Sequence, residues 1–177
     1  LLCEAKKRGM HIILDGVFNH TGDDSRYFNR YGHYDTIGAY QSPDSPYHEW
    51  YYFRHFPEDY ECWWGIKILP KLNNTNPTTR DYFLSENGIL RRYVAKGTSG
   101  WRLDVADELP DAFLTDLRGA VKQENPDALI LGEVWENAAV KIAYGARRSY
   151  LLGFQLDSVM NYPFKNAILD YVRSGDC

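Results

Sequence analysis

Four short apolar runs, each close to an acidic residue and separated by longer amphipathic stretches, limit the folds open to this chain. They are His11-Ile12-Ile13-Leu14-Asp15-Gly16-Val17-Phe18-Asn19-His20, Trp101-Arg102-Leu103-Asp104-Val105-Ala106, Leu129-Ile130-Leu131-Gly132-Glu133-Val134-Trp135 and Phe154-Gln155-Leu156-Asp157-Ser158-Val159. Runs of this length read as buried strands with functional groups at their C-terminal ends. Pro110 to Glu124 places Phe113, Leu114, Leu117 and Val121 at three- and four-residue spacing, which predicts a helix. Pro77 to Gly97 reads as one helix with Pro near its start and Gly at its end. A weaker helix is expected between Asn137 and Arg147, a final one from Phe164 onward, and the last turns of another before Gly9. Strands alternating with helices imply right-handed βαβ units and a parallel sheet, so the fold class is α/β. In a (β/α)₈ TIM barrel, acids at the C-terminal ends of strands lie on the catalytic face. Four strands do not close such a barrel. A doubly wound sheet would carry a glycine-rich phosphate loop after its first strand, and none is present.

The intervals from Asp104 to Glu133 and from Glu133 to Asp157 each match about one βα repeat, whereas that from Asp15 to Asp104 is far longer. The excess is an irregular stretch in which Tyr, Trp and Phe alternate with His, Asp, Glu and Pro. It predicts an inserted, aromatic-rich domain over residues 21–76, with residues 1–20 and 77–177 forming the sheet domain. Flat amphipathic rings suit stacking on sugars, although roughly two-thirds of them are expected to be the insertion's own small core.

On a strand, Arg102 and Asp104 share one face while Leu103 and Val105 share the other. A cation beside a carboxylate holds the acid ionised, as a carboxylate nucleophile requires; a buried structural pair accounts for that segment equally well.

Composition narrows the partners. A chain of 177 residues with 44% hydrophobic content supports one substantial core. A formal net charge of -4 without a basic stripe argues against nucleic acid, and no apolar run approaches membrane-span length. The three cysteines, Cys3, Cys62 and Cys177, lack the spacing of a zinc site or disulfide framework and read as free thiols in a reducing, cytoplasmic setting. The opening residues are neither an initiator methionine nor a signal peptide, so the expectation is a fragment that begins inside an element.

Several stretches together resemble the α-amylase family of glycoside hydrolases (glycoside hydrolase family 13). DGVFNH (Asp15 to His20) is similar to the family's motif at barrel strand 3, GWRLDVADE (Gly100 to Glu108) to that at strand 4, and GEVW (Gly132 to Trp135) to that at strand 5. ILPKLN (Ile68 to Asn73) resembles a motif near the end of the inserted B domain. With Asp-Val-Ala, Glu108 and the stretch Leu156 to Pro163, it points to the neopullulanase, cyclomaltodextrinase and maltogenic amylase subgroup. The resemblance implies barrel strands 3 to 6 with a B domain after the first. It implies a retaining enzyme acting on α-1,4, and in some members α-1,6, glucosidic bonds of cyclodextrins, pullulan, starch or maltooligosaccharides. Asp104 would be the nucleophile and Glu133 the acid and base, with the apolar neighbours of Glu133 helping to keep it protonated. His20, Arg102, Trp135, Asp107 and Glu108 would bind substrate, and Asp15 and Asn19 would be structural groups beside the site. For His20, binding is favoured over a purely structural role.

Some relatives bind calcium through the residue matching Asn19 and a carbonyl beside a histidine; here Glu108 stands at that histidine's position. Calcium at Asn19, Asp23 and Asp24 stays open, but a solvated acidic loop is the favoured reading and no cofactor is expected. Asp107 and Glu136 stand where the subgroup commonly has asparagine and histidine, which leaves transglycosylation and linkage preference open. The family's third catalytic carboxylate, on strand 7, has no counterpart, so the expectation is the middle of a longer enzyme, inactive alone; a homodimer stays open for the whole protein. The alternatives are an α-glucosidase or oligo-1,6-glucosidase, which ILPKLN disfavours, and a non-catalytic amylase-like transporter subunit, which the intact Asp104 and Glu133 disfavour.

Overall fold

A computed structural model describes residues 1–175; Cys177, expected as a free thiol, lies outside the described residues. In chain order the helices and strands are α1 (Leu2–Lys7), β1 (Ile13–Gly16), β2 (Phe53–His55), β3 (Asp59–Tyr60), α2 (Pro77–Leu84), α3 (Ile89–Ala95), β4 (Gly100–Leu103), α4 (Asp111–Glu124), β5 (Leu129–Gly132), β6 (Ile142–Ala143), β7 (Ala146–Arg147), β8 (Ser158–Val159) and α5 (Tyr162–Ser174). They divide into two compact units, one of residues 1–16 with residue 90 onward, the other of residues 17–89.

The first unit holds a parallel sheet of order β1-β4-β5-β8. Its register aligns Gly16, Leu103, Gly132 and Val159 as the last residues of the four strands. Asp104 and Glu133 stand one step beyond that row, Asp104 N–H donating to Gly16 O at 3.1 Å and Glu133 N–H to Leu103 O at 2.9 Å. Two adjacent parallel strands therefore release their acids at the same level. Gly100 opens β4 at a φ of 151°, and a Cβ there would come within 2.1 Å of Leu129 O, so only glycine fits this close approach. Helix α4 buries Phe113, Leu114, Leu117 and Val121 completely, in a core shared with Leu103, Ile130 and Val134.

The expected strand from Trp101 to Ala106 stops at Leu103, because Val105 turns into the left-handed region at φ 39°, ψ 55°. The helix expected over 77–97 is broken into α2 and α3. Ser85 is extended at its end, and Gly88 packs where a Cβ would meet Phe83 O at 2.7 Å. The helix expected between Asn137 and Arg147 is instead the β6–β7 hairpin, whose turn residues Tyr144 and Gly145 both have positive φ, 53° and 76°.

Asp157 also departs from expectation. It precedes β8 rather than ending it, its N–H donating to Ile130 O and its carboxylate accepting from Ile130 N–H, both at 2.9 Å. Arg118 and Lys122 of α4 each reach it at 2.7 Å. Two cations on the neighbouring helix draw it to the opposite end of the sheet from Asp104 and Glu133.

In the second unit the β2–β3 pair and loops enclose an aromatic core. Phe28, fully buried, meets Tyr60 at 4.8 Å and Tyr51 at 4.9 Å between ring centroids, and Trp50 stacks on Tyr27 at 5.2 Å.

Candidate active site

The sheet's C-terminal edge gathers Asp15, Arg102, Asp104 and Glu133. Asp15 and Arg102 are register partners on adjacent strands, and alternation turns Arg102 and Asp104 to the same side. Arg102 Nη1 lies 2.7 Å from Asp15 Oδ1 and 2.8 Å from Asp104 Oδ1, and Nη2 lies 2.9 Å from Glu133 Oε2. One guanidinium thus spans both acids. Burial lowers the affinity of Arg102 for its proton, but bonds to Asp15 and Asp104 and the charge of Glu133 more than offset that, so the cation is permanent. The second oxygen of Asp104 has no hydrogen-bond partner among the described residues.

Glu133 is 8% exposed and each of its oxygens has two polar partners. Oε2 accepts from Val105 N–H at 3.0 Å and faces Arg102; Oε1 accepts from Trp135 Nε1–H at 3.0 Å and from the Tyr162 hydroxyl at 3.1 Å. Burial pushes its carboxyl up, yet the bonds from Val105 and Trp135, the Arg102 charge and the Tyr162 bond together bring it below the usual value. The expectation that apolar neighbours keep Glu133 protonated is therefore corrected: three hydrogen-bond donors and the Arg102 charge hold it ionised.

Two of those donors were not anticipated. The Val105 N–H is aimed by the left-handed turn after β4, a backbone feature that a valine gives no sign of. Tyr162 is the first residue of α5, beside the N-cap Asn161 and before Pro163, so Asn-Tyr-Pro marks the start of a helix following a strand. Burial and the bond to Glu133 both raise the Tyr162 pKa, so its hydroxyl stays protonated and donates.

Asp107 and Glu108 lie in a neighbouring polar cluster. Asp107 accepts from the Tyr150 hydroxyl at 2.7 Å and pairs with Lys141 at 3.1 Å, and Glu108 accepts from the Tyr144 hydroxyl. Trp135, 40% exposed, joins the Glu133 group through its indole N–H. His20 and Asn19 belong to the second unit. There Asn19 Nδ2 lies 3.3 Å from His20 Nδ1, which leaves Nε2 as the protonated nitrogen of the neutral ring, and His20 stacks on Trp63 at 5.6 Å.

The donor set offered for calcium fits poorly. Asn19 Oδ1 is buried without a hydrogen-bond partner and is a suitable hard ligand. The Asp23 carboxylate, however, accepts from Tyr31 at 3.1 Å and faces the Arg30 guanidinium at 3.4 Å, a cation that opposes a second one. Among the described residues no group of three or more His, Cys, Asp or Glu side chains could hold a metal.

Comparison with known proteins gives this geometry a context. The model of the alpha-amylase catalytic domain matches residues 1–176. An amylopullulanase of Thermoanaerobacterium saccharolyticum is 37% identical over 97% of this chain and 14% of its own length. Neopullulanase 2 of Thermoactinomyces vulgaris is 36% identical over 99% of this chain and 28% of its own. A solved cyclomaltodextrinase superposes with a TM-score of 0.78 at 34% identity, over 96% of this chain and 27% of that one. The chain thus spans less than a third of the length of each of these relatives. A family match over almost the whole sequence, joined to a parallel sheet that presents Asp104 and Glu133 at adjacent strand ends, places this chain in the alpha-amylase catalytic-domain family.

Proposed function

We propose that the protein carrying this chain is a retaining α-glycoside hydrolase that cleaves α-1,4 glucosidic bonds in cyclodextrins, pullulan, starch or maltooligosaccharides, with α-1,6 cleavage left open. The observation that carries this reading is the single Arg102 guanidinium between two carboxylates at the ends of adjacent parallel strands. Asp104 keeps one oxygen bound to Arg102 and presents the other to the anomeric carbon; the glycosidic C–O bond breaks as the Asp104–carbon bond forms. Glu133 gives its proton to the departing oxygen, then takes one from the water that releases the sugar from Asp104. Glu133 takes up a proton from water as bound substrate desolvates its carboxyl and raises its pKa. Arg102 holds the Asp104 carboxylate in place throughout.

The four strands of the sheet are read as barrel strands 3 to 6 and residues 21–76 as the inserted B domain, with His20 hydrogen-bonding sugar. Names of the relatives, which mention pullulan and cyclomaltodextrin, support the substrate class. Among the described residues no helix is long and apolar enough to cross a membrane. The free thiols of Cys3 and Cys62 support a cytoplasmic setting.

The test uses the intact gene product with cyclodextrin, pullulan and maltooligosaccharides. Asp104→Asn and Glu133→Gln are each expected to lower kcat by at least about a thousandfold, and proton NMR of early product to show the α-anomer. Activity untouched by Asp104→Asn, or β-anomeric product, overturns the proposal.

A further inference from the structure

The mechanism does not use the partly buried cation of Lys141. Lys141, at the foot of the β6–β7 hairpin, has a side chain only 16% exposed, and its ammonium meets two acids from two different loops. One is Asp107, 3.1 Å away, in the short 3-10 turn Ala106–Glu108 that follows β4 and Asp104. The other is Glu136, hydrogen-bonded to the same nitrogen, three residues beyond Glu133 and next to Trp135.

Each arm differs in rigidity. The other oxygen of Asp107 is held by Tyr150, which is fully buried, so this arm is fixed in the core. Lys141 itself is braced, its carbonyl accepting from Arg148 N–H at 2.9 Å, while the Arg148 guanidinium donates to Asp107 O and Leu109 O at 3.0 and 2.7 Å. Glu136, at 61% side-chain exposure, is the loose arm. Without a cation between them the two carboxylates repel, and the Glu136 segment is the one free to swing away. That segment begins at Trp135, whose indole N–H holds Glu133 Oε1.

We infer that Lys141 is a positioning residue: by drawing Glu136 onto the fixed Asp107, it ties the loop after β5 to the loop after β4 and holds Trp135 where it orients the Glu133 carboxyl. This inference rests on the proposed role of Glu133. It assigns to the triad the task of keeping the acid aligned with the nucleophile, since a small displacement of either group is costly in rate.

The experiment is a double-mutant cycle on the intact gene product, with maltooligosaccharide hydrolysis as the assay. Lys141→Met is expected to lower kcat about tenfold with KM changed less than about twofold, and Lys141→Arg to recover most of the loss. In an Asp107→Asn/Glu136→Gln background, which has no like charges to separate, Lys141→Met is expected to cost less than about threefold in kcat. Unchanged kcat in Lys141→Met, a loss confined to KM, or an equal loss in both backgrounds overturns the inference. If Lys141→Met does not fold, Glu136→Gln carries the test: a kcat loss of about threefold or more is expected, and none overturns it. Asp104→Asn and Glu133→Gln run alongside. If both abolish turnover while Lys141→Met is silent, only this inference falls; if both retain turnover, the proposed function falls and takes this inference with it.

Discussion

Replacing Arg102 with methionine isolates the electrostatics of the site, because the change keeps much of the apolar stem and removes the charge from three carboxylates at once. Asp15 is 60% exposed, so solvent screens its pair with Arg102 and the contribution is small. The pairs with Asp104 and Glu133 lie among side chains 23% and 9% exposed, where a charge-assisted bond contributes about 1.5 kcal/mol or more. A loss of about 3 kcal/mol at pH 7 follows, equivalent to a fall in Tm of roughly 6 to 12 °C for a domain of this size. The sign with pH is fixed by the same groups. Glu133 is depressed in the native fold, so its stabilisation is present above the ordinary carboxylate range and is lost as pH falls through its folded pKa. Without Arg102 the Glu133 carboxyl loses one of the groups that hold it down, so less of this stabilisation remains to be lost. The Tm gap between variant and wild type is therefore expected to narrow as pH falls from 7 through the folded pKa of Glu133. Differential scanning fluorimetry across that range, with circular dichroism to confirm folding at pH 7, makes the comparison. A gap that is constant with pH, or that widens toward acid, refutes the electrostatic account of Arg102.

Removing the hydroxyl in Tyr162→Phe takes one donor from ionised Glu133, so the alkaline limb of the kcat/KM profile is expected to move upward by about half a unit to one unit; a downward shift contradicts the assigned bond. Burial raises Asp157, but Lys122, Arg118 and the Ile130 N–H outweigh it and hold it low, so Asp157→Asn is expected to cost about 1 to 3 kcal/mol at pH 7 with kcat retained. That cost should shrink as pH falls through the folded pKa of Asp157, and thermal unfolding at pH 7 and pH 3.5 tests it. In the core, Leu117→Ala empties a fully buried site on α4 and is expected to cost about 2 to 5 kcal/mol by chemical denaturation, a loss below about 1 kcal/mol being the contrary result.

The sheet was legible because strand-length apolar runs with polar ends report burial directly, and α4 because its apolar residues keep a helical period. Asp157 was misplaced since an acid inside an apolar run does not say which end of a strand it occupies; that depends on Arg118 and Lys122, which the sequence sets on a different element. The hairpin at 142–147 was missed because Tyr-Gly is a weaker turn signal than Asn-Gly, and the flanking strands are only two residues each. At the candidate site, Arg102 beside Asp104 was readable from alternation alone. The state of Glu133 was not, because it is set by donors from Val105, Trp135 and Tyr162, two of them on other segments and one a backbone N–H. Neighbouring residue types measure apolarity; they do not count hydrogen bonds.

The account's central claim is that Asp104 becomes covalently joined to sugar. Incubating the intact gene product with a fluorinated glucosyl donor that slows release, followed by peptic digestion and mass spectrometry, tests it most directly. The account predicts a single glycosylated peptide with the added mass on Asp104, absent in Asp104→Asn and formed faster when the donor carries a good leaving group. Label on Glu133 or on any other residue, or label that persists in Asp104→Asn, contradicts it.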